Sequence, residues 1–466
     1  MKTMMSHRRG SARAMAVMAL VAAACSGEAD PSASAQADSN VRRKDASAES
    51  SGALSGSRAS DSSPGVPDGE GSRKEWTLAI YLGSETLSDQ AAIANLNALE
   101  QRYAELSGFM DIIVLADGYF ESLEAGWDDR TRILKIRSDD SVRIVSEIAP
   151  PPETKIAKLL EAGHGELALS TPEVLQAFLA FTQAHYPARH FALNVVDHGD
   201  GWRGAVFDYD EEMRMFGPLR NKQYHDVFAT LAQPIDVLGF DACIMQEASA
   251  NTWWQLGGSK VKFSVASEQV QGVLGWNMDG VARRLAERRR GDGQLSPRAF
   301  ATEVVNGFYD VPEGWNDTLS ALDLSLWPQV LEQLDALGAA MSAAGGMANP
   351  IIKSVVDERV PRNYGAMVGL NAAYSEEDLV DGIELCLALE QAFEATTAVN
   401  QMARALRDAI EKAVVVNVSN SSTSHGVTLH LPRTGIGVEG SQSEFEKHAA
   451  EVLDLTPNWR AFLRSI

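Results

Sequence analysis

The chain is short of cysteine, of basic residues and of long apolar runs, and each shortage excludes a class of protein. Its 466 residues include three cysteines, too few for a disulfide framework, so the fold must be held together by packing. The 41 basic and 63 acidic side chains give a formal net charge of -22, which excludes a general nucleic-acid binder because such proteins neutralise phosphates. No uninterrupted apolar run approaches the ~20 residues of a membrane-spanning helix. The length suggests two or three domains.

Residues 1–24 have the pattern of an export signal. Four basic side chains, Lys2, Arg8, Arg9 and Arg13, precede the apolar run AMAVMALVAAA at 14–24. This run is as long as a signal-peptide core and too short to span a bilayer. Small residues lead directly to Cys25, and LVAAAC resembles a bacterial lipobox, in which the cysteine is lipidated. The alternative is ordinary signal-peptidase cleavage with Cys25 incidental. We expect export from a bacterial cell and favour a lipid anchor over free secretion. The lipid anchor would be the protein's sole contact with the membrane.

The segment that follows has a different composition. Ser, Ala, Gly, Asp and Pro fill 35 of the 47 positions from 26 to 72, and no aromatic residue is present. Such a segment cannot bury enough apolar surface to offset the entropy lost on ordering. Residues 25–72 are therefore predicted to be a lipidated cysteine and a disordered tether that holds a folded domain away from a membrane.

From residue 73 onward, short apolar runs alternate with helical patterns. Most of the runs are hydrophobic on both faces, which is typical of parallel strands covered by helices on both sides. Residues 73–294 are therefore predicted to form an α/β/α sandwich with a mostly parallel sheet. The expected strands are 76–82, 111–116, 131–136, 191–196, 235–240 and 261–266.

After about residue 295 the pattern becomes mostly helical. One late run, GVTLHLP at 426–432, has the composition of a strand. Residues 295–466 are therefore predicted to form a largely helical C-terminal subdomain that returns one strand to the sheet.

Two of the predicted strands end in reactive side chains. His198 and Gly199 follow the strand at 191–196, and Cys243 follows the strand at 235–240. Functional groups gather beyond the carboxyl ends of parallel strands, so the imidazole and the thiol can meet if the two strands are neighbours. His198 could then hold Cys243 as a thiolate or protonate a leaving group. The N–H groups of Gly199 and Cys243 could stabilise an oxyanion.

Each of these residues also has a simpler interpretation. A lone His-Gly is more often a structural turn, and a lone cysteine is more often a small buried hydrophobe, as we expect for Cys386 in its apolar helical run. The pair together indicates an enzyme, because an exported protein without paired cysteines keeps a thiol at one strand end and an imidazole at another.

The segments VVDHGDGW at 195–202 and VLGFDACIM at 237–245 resemble the clostripain family of cysteine peptidases, in the caspase-like clan. Supporting similarity is seen at 166–193, 265–277, 318–325 and 426–432, so the resemblance extends over most of residues 75–466.

The resemblance implies a caspase-like fold and assigns a role to each matching residue. It makes Cys243 the nucleophile and His198 the acid/base. Asp241 matches the family's primary-specificity carboxylate, which implies cleavage after Arg or Lys, and a carboxylate suits a guanidinium because the two form paired, charge-assisted hydrogen bonds. Ser267 and Glu268 fall where the family lines its substrate groove. The chemistry requires no cofactor.

Three features of this chain qualify the resemblance. Asp200 stands where the family usually has glycine after His-Gly, and a carboxylate there could strengthen an ion pair with the thiolate or hinder substrate. Some relatives need calcium as a structural or activating ion; the acidic cluster formed by Asp208, Asp210, Glu211 and Glu212 lacks EF-hand spacing, so a solvated loop is favoured. Some relatives cut themselves between the motifs, where this chain has Arg214, Arg220 and Lys222.

The leading hypothesis is a cysteine endopeptidase that cuts protein or peptide substrates after basic residues. The alternative is a catalytically silent surface lipoprotein that acts as a binding module, which Asp200 keeps open. A third hypothesis keeps the peptidase but has it cleave after acidic residues; Asp241 argues against it because a carboxylate suits a basic residue. A zinc hydrolase is disfavoured because the chain lacks HExxH and CxxC pairs.

Overall fold

The computed structural model describes most of the chain after the predicted tether: residues 73–83, 89–118, 130–209, 215–258, 260–272, 274–309, 318–362, 378–434 and 438–466. The predicted signal peptide, Cys25 and the tether lie outside the described residues, as do Asp210, Glu211, Glu212 and Arg214. Residues Lys74–Ile466 belong to one compact unit, and its division near residue 295 stays a prediction. None of the described helices is long and apolar enough to cross a membrane.

A nine-stranded sheet lies at the centre of the described residues. Its order is β14-β12-β11-β10-β5-β1-β2-β3-β4, and the five strands from β11 to β2 are parallel. Both edges are antiparallel. The strands are β1 Lys74–Gly83, β2 Met110–Asp117, β3 Thr131–Lys135, β4 Glu147–Ile148, β5 Ala188–Val196, β6 Gly204–Ala205, β7 Asp208–Tyr209, β8 Met215–Phe216, β9 Leu219–Arg220, β10 Val237–Asp241, β11 Phe263–Ala266, β12 Thr318–Asp323, β13 Leu379–Asp381, β14 Val414–Ser419 and β15 Thr428–His430.

Helices cover both faces of this sheet. One face packs against α1, α6 and α7, and the other against α2 to α5 and the C-terminal helices. The helices are α1 Asp89–Leu106, α2 Lys155–Ala162, α3 Pro172–His185, α4 Asn221–Ala229, α5 Ala248–Gln255, α6 Met278–Asp292, α7 Pro297–Phe308, α8 Trp327–Ala343, α9 Pro350–Ser354, α10 Gly382–Ala392, α11 Ala398–Ala413, α12 Val438–Leu453 and α13 Pro457–Leu463, with 3₁₀ turns at Gly201–Arg203, Leu324–Leu326 and Gly346–Ala348 and a π-helical turn at Val355–Arg359.

The strands are apolar on both faces because both faces are buried. In β1, Leu78 and Ile80 pack into the layer under α1, whereas Ala79 and Tyr81 pack into the opposite layer. The strand's side chains alternate between the two faces, so a strand covered on both sides is apolar at most positions. This burial confirms the predicted α/β/α sandwich with a mostly parallel sheet.

The late strand lies elsewhere than expected. The run at 426–432 forms β15, which pairs with β13 in a separate two-stranded sheet instead of joining the main sheet. The C-terminal strand of the main sheet is β14, antiparallel to β12 at the edge. Strand composition predicts that a run is extended, but its partner depends on residues distant in the chain.

Candidate active site

The loops that carry the predicted catalytic residues leave adjacent strands. β5 and β10 are parallel neighbours, with Val196 opposite Asp241 at their carboxyl ends. The backbone hydrogen bonding between the two strands continues one residue beyond β5, where the Asp197 N–H donates to the Asp241 carbonyl oxygen at 3.3 Å. The sheet therefore delivers the His198 loop and the Cys243 loop to the same edge, as strand-end chemistry requires.

The two loops touch at Gly199. A Cβ atom on Gly199 would lie 2.2 Å from the carbonyl oxygen of Cys243, 3.0 Å from its nitrogen and 2.9 Å from Cγ of Met245. Real Cβ atoms essentially never come within 3.0 Å of such neighbours. Glycine is therefore needed at 199 because the backbone beside the histidine packs directly on the backbone of the cysteine.

Asp197 holds the histidine segment in place. One of its carboxylate oxygens accepts the His198 N–H at 2.5 Å and the other accepts the Phe207 N–H at 3.0 Å. The His198 carbonyl oxygen accepts the Val206 N–H at 3.1 Å, and its ring meets the Phe207 ring edge-on with centroids 6.4 Å apart. Sequence reasoning missed this anchoring role of Asp197; its only signal was a carboxylate directly before the histidine.

The cysteine is held from the other side by the segment after β11. The Gln271 N–H donates to the Cys243 sulfur at 3.4 Å. Ile244 N–H donates to the Gln269 carbonyl oxygen at 3.0 Å, and Gln246 N–H donates to that of Ser267 at 2.8 Å. These three backbone contacts fix the position of the sulfur relative to the segment after β11. The sequence pattern carried no signal for Gln271, because the donor is a backbone group.

The residue after the cysteine has a strained backbone. Ile244 has a φ of +50°, which is unfavourable for a β-branched residue. Such conformations persist when the surroundings over-determine them, and they are concentrated at functional sites. Here the contacts of residues 244 and 246 with the segment after β11 supply that constraint.

Asp241 lies at the wall of a cavity. Its side chain is buried, and it accepts the Trp276 N–H at 2.8 Å. Gly275, with a φ of +64°, lies so close that a Cβ there would be 2.8 Å from an Asp241 carboxylate oxygen. The cavity opens to solvent and lies mainly among apolar residues of β1, β5 and α1. A carboxylate in such a cavity can recognise a cationic side chain with an aliphatic stem.

Ser267 and Glu268 are fully buried, and their side chains serve internal contacts. The Ser267 hydroxyl donates to the Gln269 carbonyl oxygen at 2.9 Å and lies 3.0 Å from the Thr318 hydroxyl. Glu268 accepts the Gly426 N–H at 3.0 Å and forms a hydrogen-bonded pair with Asp381. Burial, followed by the charge of Asp381, raises the pKa of Glu268 well above its usual value. Their assignment to a substrate groove stays a prediction.

Asp200 is part of a charged pair. Its carboxylate lies 3.6 Å from the Arg203 guanidinium, and its N–H donates to the Gly204 carbonyl oxygen at 2.8 Å. The Arg203 guanidinium is 4.7 Å from the centre of the Trp202 ring. The positive charge of Arg203 therefore offsets the negative charge of Asp200, which stands where the family usually has glycine.

The other predicted residues lie outside this edge. In the described part of the chain, no group of three or more His, Cys, Asp or Glu side chains could hold a metal ion. Asp208, the one described member of the acidic cluster, is buried and accepts the Ser170 N–H at 3.4 Å. Arg220 begins the turn into α4, and Lys222 pairs with Asp226 at 3.0 Å. Cys386 is fully buried in α10, and burial raises its thiol pKa well above the usual value.

Solved structures of two C11 cysteine proteases have a similar fold. A secreted C11 cysteine protease from Bacteroides thetaiotaomicron, solved with an irreversible peptide inhibitor, is similar with a TM-score of 0.56 and 13% identity over 82% of this chain and 99% of that chain. An inactive zymogen C11 protease from Parabacteroides distasonis gives 0.55 and 14% identity over 84% and 99%. These likenesses support the predicted caspase-like fold.

The family assignment follows from the sequence itself. The chain is a cysteine-type endopeptidase, a hydrolase. It belongs to the clostripain family, whose model matches residues 81–459. This match confirms the resemblance drawn from the two motifs. No curated protein matches the chain.

Proposed function

We propose that this protein hydrolyses peptide bonds after Arg or Lys, with Cys243 as the nucleophile and His198 as the acid/base. The observation that carries the proposal is the backbone contact between Gly199 and Cys243, which joins the ends of two neighbouring parallel strands. Side chains from two such loops can share one substrate carbonyl.

The chemistry proceeds in two displacements. The Cys243 thiolate attacks the scissile carbonyl carbon, and the tetrahedral oxyanion collapses to a thioester as the carbon–nitrogen bond breaks. The His198 imidazolium gives its proton to the departing amine. Water then attacks the thioester while His198 takes a proton from it. The carbon–sulfur bond breaks, releasing a carboxylic acid and regenerating the thiolate.

The oxyanion is stabilised by backbone donors. We assign this role to the N–H groups of Gly199 and Cys243. Their close approach supports the assignment, because two preorganised donors near the nucleophile stabilise charge as it develops. No cofactor takes part in the chemistry. Calcium would act only as a structural or activating ion.

The specificity for basic residues depends on Asp241. Its carboxylate is held by Trp276 and lines the largely apolar cavity beside β5. The stem of an arginine or lysine would pack on the apolar wall, and its charged end would pair with the carboxylate. We expect protein or peptide substrates with basic residues.

The proposed location is outside the bacterial cell. The basic segment, the apolar run and the small residues before Cys25 support export and a lipid anchor. The composition of residues 26–72 supports a tether between that anchor and the peptidase.

The test compares the full chain with its Cys243→Ala, His198→Ala and Asp241→Asn variants. Each receives fluorogenic peptides ending in Arg, Lys or Asp, with and without calcium. We expect cleavage after Arg and Lys, a loss of at least about 10³-fold in the first two variants, and selective loss of basic cleavage in Asp241→Asn. A basic electrophilic peptide should label Cys243 covalently. A folded wild-type chain that neither cleaves nor reacts would instead favour the binding module.

A further inference from the structure

Asn194 is an unusual residue in the middle of the sheet. It lies in β5 between apolar neighbours, and its side chain is 3% exposed. Among the described residues, neither its side-chain oxygen nor its nitrogen finds a hydrogen-bond partner. Buried polar groups nearly always have partners because leaving them unpaired is costly. An unpaired buried amide in an enzyme therefore calls for a functional explanation.

The strand register relates Asn194 to Asp241. Asn194 is opposite Gly239, and Val196, two residues later, is opposite Asp241. Positions two apart share a face of the sheet, so Asn194 and Asp241 are on the same face, separated by about 6.6 Å along the strand direction. Gly239 leaves room for the amide, since a Cβ there would be 2.8 Å from Asn194 Oδ1.

Both side chains line the same cavity. The third polar side chain in its described wall is Asn95, which is already engaged: its Nδ2 donates to the Leu274 carbonyl oxygen at 3.0 Å, and its Oδ1 accepts the Met278 N–H at 3.3 Å. The remaining wall is apolar. Asn194 thus provides an amide without a hydrogen-bond partner among the described residues, and this amide lies farther along the cavity than the carboxylate of Asp241.

We propose that Asn194 determines specificity for arginine by accepting a hydrogen bond from its guanidinium through Oδ1. This inference rests on the proposed cleavage after basic residues. A guanidinium has five N–H donors in a planar fork, so it can pair with Asp241 and still donate to a second acceptor. An ammonium is a compact charge at the end of a shorter side chain, so we expect that, once paired with Asp241, it does not also reach Asn194. The pair Asp241 and Asn194 therefore favours arginine over lysine.

The experiment measures kcat/KM of the full chain on two fluorogenic peptides that differ only in a terminal Arg or Lys. The wild-type protein is expected to prefer Arg. In Asn194→Leu, similar in volume but without an acceptor, we expect the Arg/Lys ratio to fall by about tenfold, mainly through the Arg substrate. Asn194→Val, which suits a strand, is a second variant with the same expected change.

Thr77→Val is the matched control. Thr77 is buried in the adjacent strand β1, its hydroxyl donates to the Tyr186 carbonyl oxygen at 2.6 Å, and it lies outside the cavity wall. This variant should lose thermal stability without changing the Arg/Lys ratio. In contrast, Asn194→Leu should keep its melting temperature, because it removes an unpaired buried group.

The outcomes separate the two levels of the proposal. A wild-type protein that cleaves after Arg and Lys, with an unchanged ratio in a folded Asn194 variant, overturns the role of Asn194 alone. A wild-type protein that cleaves only after other residues overturns the proposed function, and the role of Asn194 with it. A fall in the ratio for the Asn194 variants but not for Thr77→Val supports both.

Discussion

Replacing Gly199 by alanine tests the contact on which the active-site assignment depends. The new methyl carbon would lie 2.2 Å from the Cys243 carbonyl oxygen, and that oxygen belongs to backbone that cannot rotate away. Since contacts below 3.0 Å essentially do not occur, the two loops must separate by about 1 Å, a displacement that can lower catalysis about 10²-fold. The expected result is a kcat/KM on the Arg peptide about 10²-fold below wild type.

The assay needs a control for the added methyl group. Gly257→Ala serves this purpose, because a Cβ at this exposed glycine meets nothing within 4 Å; its kcat/KM should stay within about twofold of wild type, since surface substitutions have little effect. Circular dichroism would verify that both variants unfold cooperatively. A Gly199→Ala enzyme that retains full activity would refute the argument that the histidine and cysteine loops are joined at this glycine.

Two further predictions concern buried groups. Iodoacetamide at pH 8 should alkylate Cys243 at least about tenfold faster than Cys386, whose burial raises its pKa; equal labelling in peptide mass spectra would contradict this. The folded-state pKa of Glu268 is raised above 4.5, so its contribution to stability is fully present below pH 4.5 and is lost as pH rises through the raised value. In the Glu268→Gln variant the side chain mimics the protonated acid. Between pH 5 and pH 8 the unfolding free energy of this variant should therefore fall less than that of the wild-type protein, by about 1.4 kcal/mol for each unit of the pKa shift. Urea denaturation at both pH values measures the difference, and equal losses in both proteins would count against the buried pair.

Local pattern was sufficient to predict the architecture and to select two candidate reactive residues. Runs such as Phe191–Val196 are apolar at successive positions, which occurs when a strand is covered on both faces. Either reactive side chain alone has a simpler interpretation, but the two stand out as a pair because each follows shortly after such a run. His198 and Cys243 could therefore be selected before any geometry was known.

The partners of these residues could not be selected in the same way. The run at 426–432 is visibly a strand, yet its pairing with Leu379–Asp381 depends on a segment some 50 residues earlier. The contact of Gln271 with Cys243 comes from a backbone N–H, which every residue except proline has, so no side-chain pattern marks it.

Asn194 illustrates the same division most clearly. The sequence by itself determined that a polar amide interrupts an apolar strand, four residues before the histidine. Only the tertiary structure decided that this amide has no hydrogen-bond partner among the described residues, lies opposite Gly239 of the neighbouring strand β10, and shares a cavity with Asp241. The physical reason is that periodicity and composition act within one segment, whereas strand register, close backbone approach and cavity walls arise where segments distant in the chain meet.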